Sequence, residues 1–464
     1  MLQLTKADHR LTRTVSNGAS CGYAFVLGVP LFLSTAKLLT VAFVLVSSSW
    51  GFASTITVDL AAEEGVIYHR ANGYLVSIAP TQPGQDLIVP LKPTSFRGSV
   101  RHVLQNYDRL KEAGVHEFQL TVGYTFHDLG MQAFDVNRIG QDGDYTPWLA
   151  HVDHLIDQVR ARHISVDWDI YNEPDLATLP IAENKALLEG WRLAYKRIKD
   201  RIPEAIVVGP SVSRYRLLAP FLEWCQAHDV FPDVVSYHEY GDPSEAVGYV
   251  NDLHAYLKTR GLARPISVNE IMGQESWTSA GYTAGVIAAY EKADILSAMR
   301  ACWPDPQDSS SSYIENTCDN PTLDGLLYVD GQSKRPGWHV YKTYADLQGT
   351  RINTTTDSPR IHALAALDKA SGALRVLMGK HADYSMENTQ LVLKHLNRMR
   401  AQEERDVLHI CAEQIPDVGS AYLGSTVQTL DSDLPHDEDD LSLTLPLFNH
   451  SDAYRVTLSF LRQC

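Results

Sequence analysis

At 464 residues the chain exceeds one ordinary domain, and it suits a barrel of about 250 residues with a smaller domain beside it. Hydrophobic residues at 44% and charged residues at 21% exclude an intrinsically disordered protein. A formal charge of −16 and a pI near 5.5 argue against nucleic-acid or anionic-membrane partners, which call for basic patches.

Residues 1–53 stand apart from the remainder of the chain. Lys6, Arg10 and Arg13 supply a basic start, apolar runs cover 22–35 and 38–46, and Gly51 and Ala53 are the small residues before a cut after Ala53. This is an export-signal layout with a long basic region. Each run is shorter than the roughly 20 residues of a membrane-spanning helix, although the two together could form an uncleaved anchor. The expectation is an exported protein, periplasmic or extracellular, with anchoring to the inner membrane as the alternative and a cytoplasmic location third.

Residues 54–64 open with a strand, 55–60, expected to join a sheet formed by the C-terminal part. Across 65–348 strand and helix patterns alternate as a (β/α)8 TIM barrel requires, giving an α/β fold. Strands are expected at 73–78, 93–98, 116–123, 164–171, 205–209, 234–240 and 266–270. Helices are expected at 100–113, 150–162, 184–201 and 279–301, with the first helix, between Pro80 and Pro90, reduced or lost. The eighth strand falls either at 326–329 or at 301–303.

Residues 349–464 change to short alternating runs, at 361–367, 374–379, 390–396, 407–411 and 454–460. No stretch after Tyr344 reads as a helix longer than two turns, 395–405 being the one candidate. An antiparallel β-sandwich packed on the barrel is expected. The acidic run 431–440 could supply calcium ligands, but it lacks the ordered spacing of a calcium loop and reads as an acidic surface loop.

Six cysteines agree with an oxidising compartment. Cys302 and Cys318 flank a Pro/Asp/Ser-rich stretch, and a bridge there would pin a long loop near the active-site rim. Cys411 and Cys464 could tie down the chain end, Cys225 reads as a buried thiol, and Cys21 would leave with the signal. Connectivity itself is not readable from sequence. No Cys/His cluster has zinc spacing and no phosphate-cradling glycine pattern occurs, so neither a metal nor a cofactor is expected.

Two of the strands carry the chemistry. Asp169-Ile170-Tyr171-Asn172-Glu173-Pro174 and Ile266-Ser267-Val268-Asn269-Glu270 are β-prone runs that each end in Asn-Glu. A parallel barrel builds its site from residues at strand C-termini. Two carboxylates are what glycosidic cleavage needs, one to protonate the leaving oxygen and one to attack or to activate water. Alternation places Asp169, Tyr171 and Glu173 on one face and Trp168, Ile170 and Asn172 on the other unless a bulge intervenes. Glu173, as general acid/base, must stay protonated near neutral pH through desolvation or a neighbouring negative charge, and Glu270, as nucleophile, would be that charge. Arg97 would hold Glu270 ionised or form a structural salt bridge. Trp303 would give an apolar floor for a sugar ring or belong to the core.

With Trp168-Asp169-Ile170-Tyr171-Asn172-Glu173-Pro174 on the fourth strand, Ser236-Tyr237-His238-Glu239-Tyr240 on the sixth and Asn269-Glu270 on the seventh, the chain resembles the clan A retaining glycoside hydrolases. Within them it looks most like family 39, the β-xylosidases and α-L-iduronidases, over roughly residues 65–345. The resemblance implies a barrel with a β-rich accessory domain and a double-displacement hydrolysis of oligo- or polysaccharide. It implies that Asn172 bonds the sugar 2-hydroxyl and that His238 and Tyr240 orient the nucleophile or the sugar, with His238 otherwise a core histidine. Asp169 would support the site from behind. The alternatives are a polysaccharide-binding or biosynthesis-associated barrel with little turnover, and a transglycosylase.

Overall fold

The computed structural model describes residues 54–460 apart from 126–133, 178–180, 182, 273–277, 302–322, 324, 329, 381–386, 400–406, 436–438 and 449–451. The export signal, Trp303, the Cys302–Cys318 bridge and the Cys464 partner of Cys411 therefore lie outside the described residues.

The chain begins with β1 (Ser54–Val66), then lays down β2 (Gly73–Leu75), β3 (Ser95–Ser99), β4 (Glu117–Tyr124), the two-residue β5 (Phe134–Asp135), β6 (Asp167–Asn172), β7 (Val207–Val212), β8 (Val234–Glu239), β9 (Ile266–Ile271) and β10 (Ser297–Arg300). All but β1 run parallel in the order β3-β2-β10-β9-β8-β7-β6-β4-β5, and the β3–β4 pairing closes eight of them into a barrel. The helices are α1 (Gln85–Ile88), α2 (Val100–Ala113), α3 (Thr146–Ala161), α4 (Lys185–Arg201), α5 (Leu218–Ala227), α6 (Pro243–Thr259), α7 (Ala280–Lys292) and α8 (Pro336–Asp346). Together they make a TIM barrel.

Local chemistry sets the helix limits. Asn184 caps α4 by accepting from Leu187 N, and the buried Leu187, Leu188, Trp191, Ala194 and Ile198 recur at helical spacing along its inner face. Gly114, at φ 122°, ends α2 by donating back to the Leu110 and Lys111 carbonyls. The first helix is indeed cut down, to four residues followed by the 3-10 turn Val89–Leu91.

The eighth strand is neither of the two expected stretches. α7 stops at Lys292 and β10 occupies Ser297–Arg300, although the sequence pattern runs both into one long helix. No glycine or proline separates them, and Ser-Ala-Met-Arg carries little β-preference of its own. Tertiary pairing decides: β10 lies between β2 and β9, with Leu296 N donating to Ile266 O and Ala298 N to Arg70 O. Leu327, in the other candidate stretch, makes only an isolated bridge to Lys334.

The C-terminal strands are β11 (Thr350–Thr356), β12 (Ile361–Asp368), β13 (Ala373–Lys380), β14 (Glu387–Lys394), β15 (Val407–Ile415), β16 (Val427–Pro435), β17 (Leu441–Phe448) and β18 (Ala453–Ser459). With β1 they form a curled nine-stranded sheet, order β16-β15-β18-β13-β12-β11-β1-β14-β17, that makes the β-sandwich domain. It is mixed rather than purely antiparallel, because β1 runs parallel to β14. Ile56, Val58 and Leu60 alternate into its core with Val376, Leu391, Ile410 and Val456. Residues 431–435 belong to β16 and not to a loop. Asp431 and Asp433 share one face of that strand, where both lie beside His409 of β15. In the helix candidate 395–405, the described part holds one 3-10 turn, Leu396–Met399.

The barrel and the sandwich meet along α7, which is buried on nearly every side. A Cβ built at Gly379 of β13 would stand 2.3 Å from the Gly281 carbonyl oxygen, so only glycine allows this approach.

Candidate active site

The C-terminal ends of four barrel strands converge on one buried polar cluster. β3 brings Arg97, β6 brings Asp169 and Asn172 with Glu173 directly after it, β8 brings His238 with Tyr240 two residues on, and β9 brings Glu270. Arg97 is fully buried and organises the rest. Its Nε donates to Asp169 Oδ2 at 2.7 Å, Nη1 to Glu270 Oε1 at 2.6 Å and Nη2 to Asn172 Oδ1 at 2.8 Å. Burial alone would lower the Arg97 pKa, but Asp169 and Glu270 outweigh it and hold the guanidinium charged. The planar fork spreads its donors over three separate acceptors, a geometry that the compact ammonium of lysine does not match.

Two backbone irregularities aim these groups. In β9, Val268 pairs with Tyr237 while Glu270 pairs with His238, leaving Asn269 as the extra residue of a bulge. The bulge turns both Asn269 and Glu270 inward. Asn269 Nδ2 bonds Gln119 Oε1 and Ser211 Oγ in the barrel interior, and Glu270 reaches Arg97. In β6 the expected alternation fails after Asp169. Tyr171 points outward, with its hydroxyl donating to Leu187 O of α4, while Asn172 turns in toward Arg97. Pairing of β6 with β7 stops at Asp169–Val208, just before Gly209-Pro210, where the missing proline N–H cannot extend the ladder.

Glu270 Oε2 accepts from the Tyr240 hydroxyl and lies 3.1 Å from His238 Nδ1. The same Nδ1 is 2.9 Å from Glu173 Oε1, so one ring nitrogen stands between the two carboxyl groups. An oxygen of each glutamate and a ring nitrogen of His238 all lie within 4.8 Å of one another. That trio also has the spacing of a metal site, although Nδ1 is no ligand in the tautomer that carries its proton there. Burial drives the His238 pKa down to about 4, against the pull of Glu270, so the ring is neutral at ordinary pH.

The two carboxyl groups differ in company. Burial, reinforced by Asp175, raises Glu173 to about 7, with Arg97 pulling the other way. Asp175 is the anion that acts on Glu173, while the repulsion expected between the two glutamates falls on Glu270, whose pKa Glu173 helps to raise. Burial also raises Glu270, opposed by His238, Arg97 and the Tyr240 hydroxyl. Only Glu270 has a direct ion pair to Arg97, so a proton shared by the pair resides on Glu173.

Several supporting residues give no signal in the sequence. Ser211 Oγ donates to Asp169 Oδ1 at 2.7 Å, and Thr121 Oγ1 lies 3.4 Å from Oδ2. Tyr124, at the end of β4, is buried in the field of Arg97 and Glu270, and burial pushes its phenol up to about 12. Single polar residues inside strands have no periodicity to mark them. Only Asp175, two after the Asn-Glu pair, is within reach of a motif reading.

No family model matches the chain. A stretch of 192 residues is 26% identical to a 3-O-α-D-galactosyl-α-L-arabinofuranosidase of Bifidobacterium longum subsp. longum, covering 39% of this chain and only 16% of that enzyme's length. Among solved structures the fold is similar to N2152 from Neocallimastix frontalis, with a TM-score of 0.74 at 19% identity over 88% of this chain and 99% of that one. A monomeric β-xylosidase from Caulobacter crescentus CB15 gives 0.63 at 15% identity over 88% and 99%. A GH39 enzyme from Xanthomonas axonopodis pv. citri gives 0.63 at 14% over 87% and 97%. At such identities the likeness is one of fold, and the structures that share it include family 39 glycoside hydrolases, in line with the sequence resemblance.

Proposed function

We propose that the protein is a retaining glycoside hydrolase in which Glu270 is the nucleophile and Glu173 the general acid/base. The observation that carries this reading is the pair of carboxyl groups bridged by His238, with oxygens within 4.8 Å. Oxygens this close support the narrow carboxyl separation of retaining enzymes, roughly 5–5.5 Å, over the wider one at which an inverting enzyme seats water. The glycoside hydrolases among its structural neighbours and the arabinofuranosidase stretch support the same class.

In the first step Glu270 attacks the anomeric carbon and Glu173 gives its proton to the departing oxygen, forming a glycosyl ester on Glu270. In the second, Glu173 takes a proton from water as that water attacks the same carbon and frees Glu270. Arg97 keeps Glu270 ionised between turnovers, and the Tyr240 hydroxyl fixes its second oxygen. Because Arg97 holds Asn172 by its oxygen, the amide offers its NH2 to the sugar 2-hydroxyl. Every proton and bond in the cycle is supplied by substrate, water and these side chains. The sequence of residues 1–53 supports export as part of this reading, and among the described residues no helix is long and apolar enough to cross a membrane.

Aryl xyloside, arabinoside, glucoside and iduronide, offered to wild type and Glu270→Ala side by side, test the proposal. Turnover of at least one by wild type alone, with retained anomeric configuration by NMR, is expected. Inverted product, or equal turnover by the variant, would overturn it.

A further inference from the structure

Glu173 holds a backbone conformation that non-glycine residues rarely adopt, φ 47° and ψ 52°, at the point where β6 ends. Three sets of contacts fasten this elbow. Glu173 N donates to Ser211 O at 2.9 Å. The Thr125 hydroxyl lies 2.8 and 2.7 Å from the carbonyl oxygens of Asn172 and Glu173. Asp175 accepts from Ser213 N at 2.9 Å and from Ser213 Oγ at 2.6 Å, tying the turn after β6 to the segment after β7.

We infer that Asp175 is a positioning residue for the reaction, clamped on Ser213 so that it fixes the Glu173 elbow and sets a fixed negative charge beside that carboxyl group. The inference rests on the reading of Glu173 as acid/base. The charges around Glu173 are arranged asymmetrically. The groups that face it are Arg97 from β3, His238 and Tyr240 from β8 and its extension, Glu270 from β9, and Asp175 on its own turn. Arg97 favours the ionised form, while His238 is neutral above a pKa of about 4 and adds no charge. Glu270 is partly offset by Arg97, which it shares with Asp169. Asp175, by contrast, is bonded to a neutral serine and leaves its charge uncancelled by any ion pair at that contact. It therefore works with burial to keep the proton on Glu173 until the leaving oxygen takes it.

The test compares pH profiles of kcat/KM for wild type, Asp175→Asn and Ser213→Ala, using a phenyl glycoside and a 2,4-dinitrophenyl glycoside of the sugar that wild type cleaves. Asp175→Asn keeps one acceptor for Ser213 N, turns an NH2 donor toward the Ser213 hydroxyl, and removes the charge. Its alkaline limb with the phenyl substrate should move down by roughly half a pH unit or more, with a smaller loss on the dinitrophenyl substrate, whose departure needs no acid. Ser213→Ala keeps the charge and loosens the clamp. It should lower kcat for the phenyl substrate without moving the limb. An alkaline limb that stays in place in Asp175→Asn would overturn the inference, as would an unchanged kcat in Ser213→Ala should Asp175→Asn not fold. Glu173→Ala is the control that separates failures. If its loss does not depend on the leaving group, the acid/base reading itself falls, whereas if it does and the limb of Asp175→Asn is fixed, only the role of Asp175 falls.

Discussion

Arg97 Nη1 meets Glu270 Oε1 at 2.6 Å with both side chains buried, so the cation of this site is spent on its nucleophile before any substrate arrives. A buried pair of this kind adds little net stability, yet removing one partner leaves an uncompensated charge. Arg97→Ala strands Asp169 and Glu270 together, and it should cost about 3–5 kcal/mol by urea denaturation. Loss of the cation also raises the Glu270 pKa, so the acid limb of kcat/KM should move to higher pH. Wild-type stability with an unmoved limb would show that Arg97 is not what keeps Glu270 ionised.

The two glutamates should fail differently. Glu270→Ala is expected to abolish turnover of every substrate. Glu173→Ala should spare the first step for an activated phenol leaving group, which needs no protonation. Azide should then restore turnover of the Glu173 variant by attacking the glycosyl-enzyme, giving a β-glycosyl azide from a β-glycoside. Equal losses that azide does not relieve would reverse or dissolve the assigned roles.

How much of this site is legible in the sequence depends on what each residue does locally. Glu173 and Glu270 stand out because each ends an apolar β-run, and the α2 boundary stands out because Gly114 punctuates it. Their aim does not, since it depends on the bulge at Asn269 and on the β6–β7 ladder stopping at Asp169, both properties of pairing between distant strands. Ser211 is silent for the same reason: it reaches Asp169 from a left-handed backbone, φ 52°, after Pro210. The β10 strand is hidden because Ser297–Arg300 has no branched or aromatic residue, and β16 because its alternating aspartates look like one charge run.

The seam between barrel and sandwich should be intolerant at one atom. A methyl at Gly379 meets backbone on α7, at 2.3 Å from Gly281 O and 2.9 Å from Gly281 Cα, so no rotamer change relieves it. Gly379→Ala is expected to lose roughly 1–3 kcal/mol in urea denaturation, the usual cost of overpacking, or somewhat more. The folded fraction should keep its kcat, because neither Gly379 nor Gly281 supplies a group to the cluster built on Arg97. An undiminished midpoint would mean the two layers are free to part there.

The raised pKa of Glu173 is finally a statement about stability. Its carboxyl is nearly buried and titrates at about 7 in the folded chain, against an ordinary value of 4.5. At pH 4 the group is protonated whether folded or not, and it costs nothing. As pH rises from 4.5 to 7 the unfolded chain releases this proton first, so stability falls across that window and the full penalty applies above it. A shift of this size corresponds to roughly 3 kcal/mol at most. Glu173→Gln keeps the shape and an acceptor for His238 but never ionises. It should match wild type in urea denaturation near pH 4 and exceed it by roughly 1–3 kcal/mol at pH 8, while losing hydrolysis of substrates with poor leaving groups. The same margin at both pH values would trace any gain to packing, and would remove the argument that Glu173 is held protonated by its surroundings.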